Sequence, residues 1–217
     1  MTAMDYAKYF ISQRIGAEKN SLEGNMKLQK LLFFADIIHL AQYNTPLFND
    51  TIFAFEKGCV IESVRHRFQY DYGDLCFESM KEQYIFCQQD KNTLDMTIAI
   101  FGGLSSKELS DLNHQFNFWQ DQYSNSIVSD TFKEKYDSIV TIEMMRSELD
   151  KMKGVLNAYY QTKLTEQNVI VFNGIRFFYG DDVFMTVSLK QYLCEFSMCA
   201  EDDSYSVYYD NGELVVY

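Results

Sequence analysis

The chain is short of the residues that break, bridge or coordinate. One proline, Pro46, stands among 217 residues, so no proline-rich linker interrupts the chain and long helices are permitted. Five cysteines at positions 59, 76, 87, 194 and 199 make an odd set without a Cys-x-x-Cys pair. That pattern argues against a disulfide framework or a zinc ribbon and for reduced thiols. Three histidines, His39, His66 and His114, stand in no His-x-His or His-Glu-x-x-His arrangement and at no metal-ligand spacing from a cysteine. No metal and no cofactor is therefore expected. No apolar run approaches the roughly 20 residues that span a bilayer, and the first residues lack the basic and then apolar regions of a secretory leader. The expectation is a soluble cytoplasmic protein that does not engage a membrane.

Basic residues are also scarce. Nineteen Lys and Arg face 31 Asp and Glu, for a net charge of −12. No basic face is concentrated enough to track a phosphate backbone, so direct nucleic-acid binding is not expected. The acidic excess serves solubility, and it would also draw in a basic protein partner. What the chain has in quantity is apolar and aromatic surface, 47% and 16% of its residues, enough for a substantial globular core.

Periodicity divides the chain in two. Apolar residues at helical spacing predict a helix over 3–15, ended by Gly16. A second helix is predicted over 26–43, with Asn25 as its N-cap and apolar residues nearly all round, the mark of a buried central helix. Asn44-Thr45-Pro46 forces a turn, 51–55 reads as a short extended segment broken at Gly58, and 62–68 as helix. Further helices are expected over 92–101, from Ser105 or Ser106, from Ser129-Asp130, and as one long helix over 140–160. After Thr165 two Asn-Gly dipeptides between β-rich runs predict two hairpins. A strand is expected over 183–187 and a helix capped by Ser188 between them. The fold class is α+β: a mainly helical bundle domain over 1–164, followed by a small β-hairpin-rich module over 165–217.

No catalytic constellation stands out. Nucleotide-binding glycine loops and a Gly-x-Ser-x-Gly elbow are missing. Cys59, seven residues before His66, permits a Cys/His nucleophilic pair, but cysteine is among the most buried residue types and a structural role is the stronger reading. His39, set among apolar residues, reads as a packed histidine. Aromatic residues in the two hairpins are the better functional candidates. Phe177, Tyr179, Tyr205, Tyr208 and Tyr209 are expected partner contacts, because tyrosine-rich strands with one exposed face make good protein-binding surfaces.

The ordered set Lys27-Leu28-Gln29-Lys30-Leu31-Leu32, His39-Leu40-Ala41, Pro46-Leu47-Phe48 and Lys57-Gly58-Cys59-Val60 resembles the Panacea domain, a family also described as SocA-like or phage-associated. Ser63-Val64, His66-Arg67-Phe68, and Leu109, Leu112, Asn113, His114 and Trp119 continue the likeness, which spans about 3–145. The chain departs from the family pattern with Cys59 in place of proline, Phe55 in place of a frequent tryptophan, and Asn113 in place of threonine. The resemblance implies a mostly helical scaffold acting by protein–protein contact, since members include antitoxins of varied toxins and a proteolytic adaptor that delivers its toxin to ClpXP. Lys27, Leu28, Gln29, Lys30, His39, Gly58, Val60, His66, His114 and Trp119 would then hold the scaffold. The function expected is a non-enzymatic antitoxin that binds a cognate toxin; the alternative is a phage or mobile-element protein acting on a host protease or nuclease.

Overall fold

The computed structural model describes residues 1–129, 132–165, 168–181, 183–210 and 213–217. They form two compact units, Met1–Leu156 and Asn157–Tyr217. The α+β class holds: helices dominate and small sheets complete each unit.

The first unit is built round helix α2 (Leu22–Tyr43), whose residues from Leu28 to Leu40 are all buried. An apolar stripe would leave one face wet; this helix has none, so it sits inside. Helix α1 (Ala3–Ser12) packs on it and ends before the left-handed Arg14, three residues short of the expected end. The start of α2 also differs from expectation. Ser21, not Asn25, is the N-cap, and its hydroxyl accepts from the Gly24 amide at 3.0 Å. Asn44 closes the helix in the left-handed conformation that asparagine tolerates.

After α2 the chain makes strands β1 (Ile52–Phe55) and β2 (Gly58–Ile61), paired so that Phe53 faces Val60. The second strand was not expected, because four residues that are all buried carry no alternation to reveal them. Helices α3 (Glu62–Tyr70), α4 (Tyr72–Lys81), α5 (Gln88–Phe101), α6 (Ser106–Asn113) and α7 (Asn117–Asn125) follow. Ser105 and Glu108 form the predicted capping box of α6. The helix expected from Ser129 is instead a short hairpin, β3 (Ile127–Ser129) with β4 (Phe132–Lys133); Asp130 lies outside the described residues.

The long helix expected over 140–160 is divided. Strand β5 (Ile139–Val140) joins the edge of β1, then come α8 (Ile142–Ser147) and α9 (Leu149–Thr165), broken at Glu148. The break has a cause: the Glu148 carboxylate accepts from the amides of Asn117 and Phe118, at 3.0 and 2.8 Å, and so caps α7 from a distance. Met145, Leu149, Met152 and Leu156 are buried as their helical spacing predicts.

The second unit pairs strands β6 (Asn168–Phe172), β7 (Ile175–Tyr179), β8 (Ser204–Asp210) and β9 (Glu213–Val216) in that order. Asn173 and Gly174, at φ of 50° and 87°, make the predicted tight turn between β6 and β7. The second Asn-Gly lies outside the described residues, though Asp210 and Glu213 pair on either side of it. Strands β7 and β8 run parallel, so helix α10 (Val187–Phe196) is their crossover. It begins at Thr186, whose hydroxyl takes the Leu189 amide at 3.1 Å; the expected strand over 183–187 does not form, and Ser188 lies within the helix. Phe177, Val183, Leu189, Leu193 and Val207 make this unit's core.

Replacing Phe177 by alanine should destabilise the second unit by about 3–5 kcal/mol, the usual cost of an emptied aromatic core position. Tyr208→Ala, on an exposed residue, should shift it by roughly 0.5 kcal/mol or less. Hydrogen exchange of the β7 and β8 amides reads both; equal effects would contradict this assignment of faces.

Candidate functional site

The sequence pattern of α2 hides a second function for that helix. Six of its polar side chains reach other segments: Asn25 donates to the Arg65 carbonyl (3.2 Å), Lys27 to Gly102 (2.8 Å) and Lys30 to Cys59 (2.9 Å), while Gln29 accepts from the Ile61 amide (2.8 Å), Asp36 from the Leu47 amide (2.7 Å), and His39 Nδ1 pairs with the Thr93 hydroxyl (2.9 Å). Each satisfies a group that water cannot reach or reaches poorly, so the helix organises the unit through hydrogen bonds as well as apolar packing.

These contacts converge on the β1–β2 hairpin. The order β2-β1-β5 makes β2 an edge strand. Because Phe53 opposes Val60, the main-chain groups of Cys59 and Ile61 point away from β1. An edge of this kind, buried on both faces, must find partners elsewhere. Gln29 Oε1 takes the Ile61 amide, Lys30 Nζ the Cys59 carbonyl, and Asn113 Oδ1 the Cys59 amide at 2.5 Å. The turn is gripped as well. Ser110 donates to the Lys57 carbonyl (2.7 Å), Trp119 Nε1 to the Phe55 carbonyl (2.9 Å), and His114 bonds the Glu56 backbone. The His114 ring lies flat on Trp119, with centroids 3.7 Å apart.

Gly58 explains its own presence. Its φ is +98°, and a Cβ there would stand 2.2 Å from Asn113 Oδ1 and 2.9 Å from Lys30 Nζ. Glycine alone combines that backbone with that approach.

Burial sets the electrostatics. It pushes the Lys30 ammonium down to about 8 and the Cys59 thiol up to about 11. Asp36 is pushed up to about 7 by burial, against the pull of the Leu47 and Phe48 amides. Burial also lowers His39, and burial together with Lys30 lowers His114. A thiol held neutral in this way is a poor nucleophile. Nor is it joined to His66, which is exposed and faces Glu62 (3.6 Å), Arg65 and Tyr70.

Of the motif residues, Gln29, Lys30, Gly58, His114 and Trp119 thus meet at one hairpin. Lys27 and His39 brace α5 and its end, Leu28 and Val60 are core, and His66 stands apart on α3. Ser110 and Asp36 were not singled out from sequence. A lone carboxylate inside the apolar stretch 31–41 was the available signal for Asp36, since buried acids need partners.

In the second unit the aromatic candidates separate. Phe177 is fully buried and packs on Phe196 and Tyr205, so it is a core residue and not a partner contact. Tyr179 and Tyr205 are partly buried against the same core, and the Tyr205 hydroxyl holds the amides of Glu201 and Asp202 at 2.9 Å. The physical reason is α10, which covers the face carrying these odd-numbered positions. Tyr208 and Tyr209 remain exposed.

The two departures Cys59 and Asn113 touch: a proline at 59 would offer no amide, and the asparagine is there to take the one that cysteine supplies. Asn113→Thr alone should therefore cost about 1–3 kcal/mol, the price of an unpaired buried amide. The double variant Cys59→Pro/Asn113→Thr should be less damaging than the sum of the single changes, which a double-mutant cycle in urea would show. Additive costs would refute the coupling. Asp36 gives a pH prediction. Between pH 3.8 and about 7 the folded chain holds a proton on Asp36 that the unfolded chain has lost. Stability should thus fall with rising pH across that window, by up to about 4 kcal/mol from this group. Asp36→Asn keeps an acceptor for Leu47 and should flatten the slope in pH-dependent denaturation.

Residues 28–120 match the family described as antitoxin SocA-like, Panacea domain. No curated protein and no solved structure matches the chain. The matched segment runs from the first buried residue of the α2 core to the residue after Trp119, and so encloses the whole clamp round the β1–β2 hairpin. Residues 28–120 are thus similar to the antitoxin SocA-like, Panacea domain.

Proposed function

We propose that the protein is an antitoxin that neutralises a cognate toxin by direct protein–protein binding, without catalysis. The family match over 28–120 carries this reading. Two features support it. Lys30, Asn113 Oδ1, Gln29, Ser110 and Trp119 hold the hairpin backbone beside a neutral buried thiol, an arrangement suited to a rigid scaffold. The second unit keeps a sheet face that α10 does not cover. Register places Val169, Phe178 and Ser206 together there, with Val171 and Tyr208 on the same side; Val169, Val171 and Tyr208 are exposed. Tyrosine and apolar side chains on a rigid strand bind partners at low entropic cost. No helix among the described residues is long and apolar enough to cross a membrane, which suits a partner met in solution. The net charge of −12 would hasten encounter with a basic toxin.

Co-expression with the protein encoded by the adjacent open reading frame should restore growth, and the two should co-elute in size-exclusion chromatography. Neither rescue nor complex would overturn the reading, and capture of a host protease or nuclease instead would replace the toxin by that enzyme. Val171→Ala/Tyr208→Ala should weaken the complex about tenfold or more if this face is the contact.

A further inference from the structure

The hairpin that the clamp holds is bracketed by two clefts. One, of about 250 Å3, lies between the start of α2, the turn and α3; Leu22, Met26, Phe55 and Val60 form its apolar walls and Lys57 and Arg65 its charged rim. The other, of about 310 Å3, lies on the opposite side of the same turn, lined by Phe55, Tyr123, Lys133 and Lys135. Phe55 and Glu56 border both. Each is several times the ~30 Å3 that a water molecule occupies, and each is close to the ~300 Å3 lower end of small-ligand pockets. They are sized for single large side chains.

Their charge runs against that of the chain. In a protein of net charge −12, Lys57, Arg65, Lys133 and Lys135 surround this turn, while Glu56 is the only acidic residue among the described residues lining either cleft. Glu62 nearby is shared between Lys135 and Arg65. Lys57 is exposed, and its backbone, not its side chain, is what Ser110 holds. Arg65 contacts His66 Nε2 at 2.7 Å, lies 3.4 and 3.5 Å from Gln69 and Glu62, and stays partly exposed at the cleft rim. Its pairing with Glu62 shows that this guanidinium takes a carboxylate where one is within reach. Aromatic walls beside cations offer the same combination twice: Arg65 lies 5.9 Å from the Phe55 ring and Lys133 4.5 Å from that of Tyr123.

We propose that the two clefts flanking the Glu56–Lys57 turn dock an acidic segment of the partner protein, which places one large apolar side chain in each cleft and its carboxylates against Lys57, Arg65 and Lys133. The identity of that partner rests on the neutralisation reading; the chemistry of the segment rests on the clefts alone. The rigid hairpin supplies preorganisation, since seven residues of backbone from Phe55 to Ile61 are already held.

The test uses the full chain, its Lys57→Glu/Lys133→Glu variant, and two synthetic peptides. One peptide alternates glutamates with a single tryptophan and a single phenylalanine; the other carries lysine at every glutamate. In NMR titrations the acidic peptide should move the amide resonances of Lys57, Gln69, Tyr123 and Lys133, and the double variant should bind it about tenfold more weakly at low salt. Equal binding of both peptides, shifts confined to other surfaces, no shifts, or an unaffected double variant would overturn the proposal. The same variant is then titrated with the neighbour-encoded toxin. If the wild-type chain binds toxin and the variant binds it equally well, the clefts are not the dock and neutralisation stands. If the acidic peptide binds and the toxin does not, the clefts stand and neutralisation falls.

Discussion

A strand buried at the edge of a sheet cannot leave its outward main-chain groups bare, because each unpaired buried group costs on the order of 1–3 kcal/mol. That requirement at β2 explains most of what surrounds it. The central helix must carry Gln29 and Lys30 on the turn that passes the strand, and α6 must end on Asn113. Residue 58 must be glycine so that those side chains can close in. Burying a lysine at this depth is costly, and its pKa falls accordingly. It is tolerated because its removal would strand the Cys59 carbonyl. The hairpin, the helix and the loop after α6 are therefore mutually dependent through these bonds.

This dependence alters the meaning of the family resemblance. A lysine, a cysteine and two histidines around a glycine turn suggest chemistry when read as a string. Folded, Lys30 and His114 bond the hairpin backbone, burial keeps the Cys59 thiol neutral, and His66 stands apart on α3 beside Glu62 and Arg65. The surfaces proposed for recognition are the cationic, aromatic clefts on either side of the held turn and the uncovered face of the second unit's sheet.

Some elements were plain in the sequence because the cause is local. The apolar girth of α2, the Ser105–Glu108 capping box and the Asn173-Gly174 turn each depend on residues within one or two turns of each other. Others were not legible because the deciding partner is distant in sequence. The start of α2 moved to Ser21 because Asn25 serves Arg65, forty residues away. The expected long helix over 140–160 breaks because Glu148 leaves it to cap α7. Strand β2 was hidden because a segment buried on both faces has no polar alternation.

By itself, the sequence determined the class of fold, the buried character of the central helix, and the match of residues 28–120 to the antitoxin SocA-like, Panacea domain. Those properties follow from composition, short-range periodicity and ordered motifs. Only the tertiary structure decided which aromatic residues of the second unit are core and which are surface, since Phe177 and Tyr208 look alike until α10 covers one face of the sheet. It also decided that Cys59 and Asn113 answer each other, and that the cations of an acidic chain gather round one turn. Hydrogen-bond partnership and local charge density depend on which distant segments meet, and packing alone settles that.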